Sequence, residues 1–179
     1  GLSVLRPAVA NDTRTAWETA INNSTGPTAL ILSRQGLPVL DTSNQDGRPE
    51  LGGYTVDNCE GEPDLIIIST GSEVHLCVEA KKELEKRGKK VRIVSLLSRE
   101  IFEKQGKDYK ERIIPSHIKK RLVVEAGSSS GWEKYAGDQG EILGINIFGA
   151  SAPGSTVLNK FGFFPVNIIN LAQIVLNKK

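Results

Sequence analysis

Between Asp64 and Val124 the chain alternates β-branched apolar runs with helix-forming segments, and no other feature limits its fold as much. Leu65-Ile66-Ile67-Ile68 presents apolar side chains to both sides of a strand, so a strand there must be covered on both faces. Ser72 and Glu73 then open a helix that ends at Gly88. It carries Cys77, Ala80 and Leu84 on one stripe, with Lys86 and Arg87 in the last turn, where cations suit the helix dipole. Val91 to Leu96 and Leu122 to Val124 are further apolar runs of strand length. Such alternation predicts a parallel sheet with helices on both faces.

The flanking sequence extends this pattern. Tyr54 to Val56 reads as a short first strand, and another strand falls within Glu141 to Phe148. Short helices are expected at Ser98 to Lys104, Asp108 to Ile114 and around Trp132 to Tyr135. Two more lie near Ser155 to Phe161 and Pro165 to Leu176, the last with Pro165 suitably placed at its start. Ile168, Ile169, Leu171, Ala172, Ile174, Val175 and Leu176 crowd most of that helix's circumference, so it must bury against the sheet or a partner subunit. The expected fold is a three-layer α/β unit with a mostly parallel five-stranded sheet.

Ahead of it, Asn11, Asp12 and Thr13 are placed to cap a helix running to Asn22, and Gly26-Pro27 leads into an apolar run from Thr28 to Leu32. One helix and one strand cannot close a core. This segment therefore reads as a helix-strand remnant of another α/β domain whose remaining elements lie outside the chain. Residues 41–53 hold turn formers and almost no large apolar side chains, which reads as a linker and sets a boundary near residue 50. The division is residues 1–50, the end of one domain, and residues 51–179, a complete second one.

Composition narrows the function. A net charge of +2 arises from interspersed cations and anions, so no single-sign field marks a nucleic-acid surface. No apolar run approaches the length of a membrane span, and Arg6 and Pro7 interrupt the start where a signal peptide needs an apolar stretch. Cys59 and Cys77 belong to no metal-spaced set and fit a reducing cytoplasm.

Few residues invite chemistry. Ser33-Arg34-Gln35-Gly36-Leu37-Pro38 follows the first apolar strand and puts Arg34 near a strand's C-terminal end, where α/β sheets usually bind ligands. A guanidinium there can hold phosphate through two parallel charge-assisted hydrogen bonds. Thr70-Gly71-Ser72 joins a buried strand to a helix N-terminus, a geometry open to anions but more simply a tight turn and cap. His75 is spaced to pair with Glu79, His117 stands in a loop, and Glu125 at a strand end reads as an ion-pair or turn acceptor. No Gly-x-Ser-x-Gly elbow accompanies either histidine.

The last third runs Val123-Val124-Glu125-Ala126-Gly127, Trp132-Glu133-Lys134-Tyr135, Phe148-Gly149-Ala150-Ser151-Ala152-Pro153 and Lys160-Phe161-Gly162-Phe163. With Arg6-Pro7-Ala8 and the Arg34 segment upstream, the chain resembles the C-terminal domain of transketolase preceded by the tail of its pyrimidine-binding middle domain. The resemblance implies that Arg34 holds the phosphate of a sugar substrate and that Arg6 is structural. It implies a parent enzyme, a cytoplasmic homodimer of the pentose phosphate pathway, that moves a two-carbon ketol group between phosphorylated sugars with thiamine diphosphate and Mg²⁺. No catalytic, cofactor-binding or metal residue is expected in this part, which alone should be inactive.

Gly137-Asp138-Gln139-Gly140 with Asn167 is similar to the Gly-Asp-Gly…Asn signature for Mg²⁺ and the cofactor diphosphate, but the third residue breaks the match. Two alternatives remain open: the related C-terminal domain of 1-deoxyxylulose-5-phosphate synthase or a 2-oxo acid dehydrogenase β subunit, or a non-catalytic dimerisation or anion-binding module. The Ser-Arg-Gln-x-Leu-Pro and Phe-Gly-x-Ser-Ala-Pro segments favour transketolase.

Overall fold

The structure, a computed structural model, describes residues 1–178. It opens with strand β1 (Ser3–Leu5), helix α1 (Ala10–Asn22) and strand β2 (Thr28–Leu30). The two strands pair in parallel, Val4 opposite Ala29. The strand at Ser3–Leu5 was not expected from sequence, so the leading segment is a strand-helix-strand unit and not a helix and strand alone.

A 3-10 turn at Pro49–Leu51 leads to the second unit, made of β3 (Tyr54–Asp57), β4 (Leu65–Ser69), α2 (Glu73–Lys86), β5 (Val91–Ser95), α3 (Arg99–Glu103) and α4 (Lys107–Ile113). It continues through β6 (Arg121–Val124), α5 (Glu133–Ala136), β7 (Glu141–Leu143), α6 (Gly154–Lys160) and α7 (Pro165–Asn177). The strands form one five-stranded sheet in the order β3-β5-β4-β6-β7. Only β3 runs antiparallel to its neighbour.

The apolar runs explain the layers. Along β4, Leu65 and Ile67 point to one face, where Leu84 of α2 and Ile168, Ala172 and Val175 of α7 pack with Phe163. Ile66 and Ile68 point to the other, against Phe102 of α3, Ile113 of α4, Tyr135 of α5 and Trp132 just before it. Every β4 residue is buried, as an uninterrupted β-branched run requires. Ile168, Ile169, Ala172 and Val175 of α7 are buried, the helix packing on α2 and β6, while Ile174 remains exposed.

Helix α2 ends where Gly88 takes φ +75°, a left-handed turn that glycine adopts without a steric cost from Cβ. The expected cap of α1 is not formed. Val9 is the N-cap and supplies no side-chain bond. Asp12 instead turns inward, accepting the Ala8 N–H at 3.0 Å and the Tyr54 hydroxyl at 2.8 Å. Burial holds its carboxyl above its ordinary pKa.

Leu84 is fully buried between α2, α7 and the sheet. Leu84→Ala is expected to lower stability by about 2–5 kcal/mol, the range for a large-to-small change in a packed core. Urea unfolding of the two proteins measures this, and a loss under about 1 kcal/mol contradicts the packing described.

Candidate functional site

The chain goes from β4 to β5 on one side of β4 and then crosses to β6 on the other. The loops leaving β4 and β6 therefore diverge in opposite directions, which opens a crevice beyond the strands' C-terminal ends where α/β folds usually bind ligands. Thr70-Gly71-Ser72 forms one wall here and Glu125-Ala126-Gly127 the other.

Arg6 fills this crevice. It follows β1, and its backbone N–H donates to the Leu97 carbonyl at 2.8 Å while its carbonyl accepts the Gly71 N–H at 3.1 Å. Its guanidinium Nη2 donates to both oxygens of Glu73, at 3.0 and 3.2 Å, and Nη1 donates to Glu125 Oε1. The carboxylates are further satisfied. Glu125 Oε2 accepts the Thr70 hydroxyl at 3.0 Å, and Glu73 accepts the Ser72 hydroxyl at 2.9 Å and the Ala126 N–H at 2.7 Å.

Glu73 and Glu125 are both buried. Burial works against the Arg6 charge, but the two carboxylates outweigh it and hold its pKa above the ordinary value. For Glu125 burial dominates, opposed by Arg6, and its carboxyl sits above its usual value. A guanidinium shared by two acids is neutralised as an anion receptor, so the cluster is a clamp between the two units and holds neither nucleophile nor free base.

Beside it lies a cleft of about 250 Å³ lined by Val4, Ser98, Arg99, Ser130 and Trp132 as well as by the clamp. The Arg99 guanidinium stacks 4.7 Å from the centre of the Trp132 ring and donates to the Ser130 carbonyl at 3.3 Å. Arg99 is thus already engaged with the cleft wall.

The residues singled out by sequence are scattered. Arg34 is exposed in the loop after β2 and does not join the Arg6 cluster. Glu125 is the ion-pair acceptor its position suggested. His75 Nδ1 is buried with no hydrogen-bond partner, so the expected bond to Glu79 is not made through it. His117 stands 3.6 Å from Glu62, both exposed. Burial pushes the Cys77 thiol up to about 12, which leaves it inert. Asn167 lies in α7 and donates to the Gly162 carbonyl at 2.9 Å. Among the described residues no group of three or more His, Cys, Asp or Glu is placed to hold a metal ion. Sequence reasoning treated Arg6 only as structural and missed Glu73 as its partner; the available signal was a carboxylate just beyond each of two buried strands.

Residues 52–164 match the family model of the transketolase-like C-terminal domain. The chain belongs to the transketolase family. It is 45% identical over 180 residues to the transketolase of Bacillus subtilis (strain 168), a match spanning 99% of this chain and 27% of that protein. The Staphylococcus aureus (strain MW2) transketolase is 47% identical over 171 residues, covering 94% of this chain and 26% of its own length. Among solved structures, Pichia stipitis transketolase in complex with sedoheptulose-7-phosphate superposes with a TM-score of 0.86 at 38% identity, over 97% of this chain and 25% of that one. Leishmania mexicana transketolase gives 0.86 at 33% identity, over 98% and 25%. The chain thus spans about a quarter of the transketolases it matches.

Arg6→Ala leaves two buried carboxylates facing each other without a cation. It is expected to destabilise the chain by about 3–5 kcal/mol at neutral pH, the cost of breaking a buried pair from one side. Burial already holds the Glu125 carboxyl above its ordinary value, and losing the cation that opposes this raises it further, so the folded variant binds more protons than the unfolded chain. The variant's deficit against the wild type must therefore shrink as pH falls through the raised Glu125 value. Urea melts from about pH 8 to about pH 5 test this, and a variant deficit that stays constant or grows toward acid contradicts the clamp.

Proposed function

We propose that this chain is the C-terminal part of a transketolase whose whole transfers a two-carbon ketol group from phosphorylated ketose donors to aldose acceptors. The observation that carries the reading is the match along 99% of this chain to only 27% of the Bacillus subtilis transketolase. In this reading residues 1–50 end the pyrimidine-binding middle domain and residues 51–179 form the C-terminal domain. The enzyme acts as a cytoplasmic homodimer. Two free cysteines and the absence, among the described residues, of a helix long and apolar enough to cross a membrane are compatible with that setting.

Transketolases use thiamine diphosphate and a divalent metal, which supply the carbanion chemistry. The donor set here does not fit that group: Asp138 stands in the mismatched Gly-Asp-Gln-Gly turn, and Asn167 lies inside helix α7 and not in a loop. The cofactor belongs to the remainder of the enzyme, and this part alone is inactive. Because Arg6 fills the crevice at the strand ends, a free nucleotide- or anion-binding module is the weaker reading.

Arg34 is the substrate-phosphate ligand of this reading. Its support is its place in the loop leaving the C-terminal end of a parallel strand, its exposed side chain, and the similarity of Ser33-Arg34-Gln35 to the phosphate-binding segment of transketolases. In the full-length enzyme, Arg34→Ala is expected to reduce kcat/KM for a phosphorylated ketose by roughly ten- to a hundredfold, the worth of charge-assisted hydrogen bonds, and to spare the unphosphorylated donor hydroxypyruvate. Equal losses for both donors, or none, overturn the assignment.

A further inference from the structure

Two segments far apart in sequence meet at the first turn of α6. Gly154, the first residue of that helix, lies so close to the Gln35 side chain that a Cβ on it would overlap the Gln35 amide nitrogen. Gly154 is not among the glycines with positive φ. Its backbone therefore does not require glycine, and most residues would favour the helix more. What the missing side chain provides is room for Gln35.

The contact bears on the loop around Arg34. Ser33 Oγ donates to the Gln35 carbonyl at 2.9 Å, closing a short turn about Arg34. Downstream, Leu40 packs against the apolar core under α2 and α7. The exposed Arg34 thus lies between a side-chain contact on α6 and an anchor on the sheet's own core, both in the second unit.

We infer that Gln35 is a positioning residue for substrate phosphate and that Gly154 is its receptor, so that the second α/β unit braces the loop carrying Arg34. This rests on Arg34 being the phosphate ligand. A guanidinium on a long side chain discriminates only when its loop is fixed, since small displacements of a binding group cost transition-state stabilisation. The fold itself tolerates loss of the contact, because the displaced group is the mobile end of a side chain.

The test uses the full-length enzyme carrying Gln35→Ala, Gly154→Ala, both together, and Arg34→Ala. Each single change at the contact is expected to raise KM for fructose 6-phosphate roughly two- to tenfold through a less firmly placed Arg34, with kcat and the hydroxypyruvate parameters unchanged. The double variant should be no worse than the worse single one, because both remove the same contact. Donor-independent losses, or no change while Arg34→Ala is donor-selective, overturn the inference. If Arg34→Ala is itself unselective, the phosphate reading has failed, and the rate of tryptic cleavage after Arg34 in the folded enzyme decides the bracing alone. Faster cleavage in both single variants supports it, and unchanged cleavage refutes it.

Discussion

The guanidinium of Arg6 between Glu73 and Glu125 is the contact on which the arrangement of this chain depends. A two-stranded sheet with one helix is marginal in water by itself, and the leading unit has no large core of its own: Leu5 and Ala16 are buried only together with Leu97 of the second unit. Its order is borrowed. Arg6 supplies it through backbone bonds to the loops after β4 and β5 and a side chain paired on two sides, while Asp12 adds a second buried link through Tyr54. Buried ion pairs add little net stability over apolar packing, yet removing one partner is costly. The clamp therefore fixes where the first unit sits more than it strengthens the whole.

The same contact decides what the second unit does not do. Its sheet has the strand reversal that opens a ligand crevice, and that crevice is occupied by a residue of the chain itself. The fold has kept the geometry of a binding site and used it for attachment. On the proposed reading, its contribution to the parent enzyme runs through the segments it holds, above all the loop from Ser33 to Pro38.

Much of the fold was legible because β4 and α2 are strongly patterned: an unbroken apolar run must be buried on both faces, and Cys77, Ala80 and Leu84 mark one helix stripe. The five-stranded, mostly parallel sheet with helices on both faces followed from that. Strand β1 was not legible, because a strand from Ser3 to Leu5 carries no periodicity and its partner lies beyond a whole helix. Asp12 was misread as a cap because local sequence cannot show that Tyr54 would arrive with a hydroxyl. Arg6 was legible only as a family residue, since its two acids lie 67 and 119 residues away. Long-range polar pairing leaves no local trace beyond an acid at a strand end.

Native-state hydrogen exchange of the chain, followed against urea, tests the account most directly. If Arg6 couples the two units, the amides of Leu5 and Ile31, the latter bonded to the Leu5 carbonyl, exchange through the same global opening as Ile67, with the same free energy and urea dependence. Exchange of Leu5 and Ile31 through a separate, low-energy opening while Ile67 stays protected would show that the first unit is only loosely attached and would contradict the central role given to the clamp.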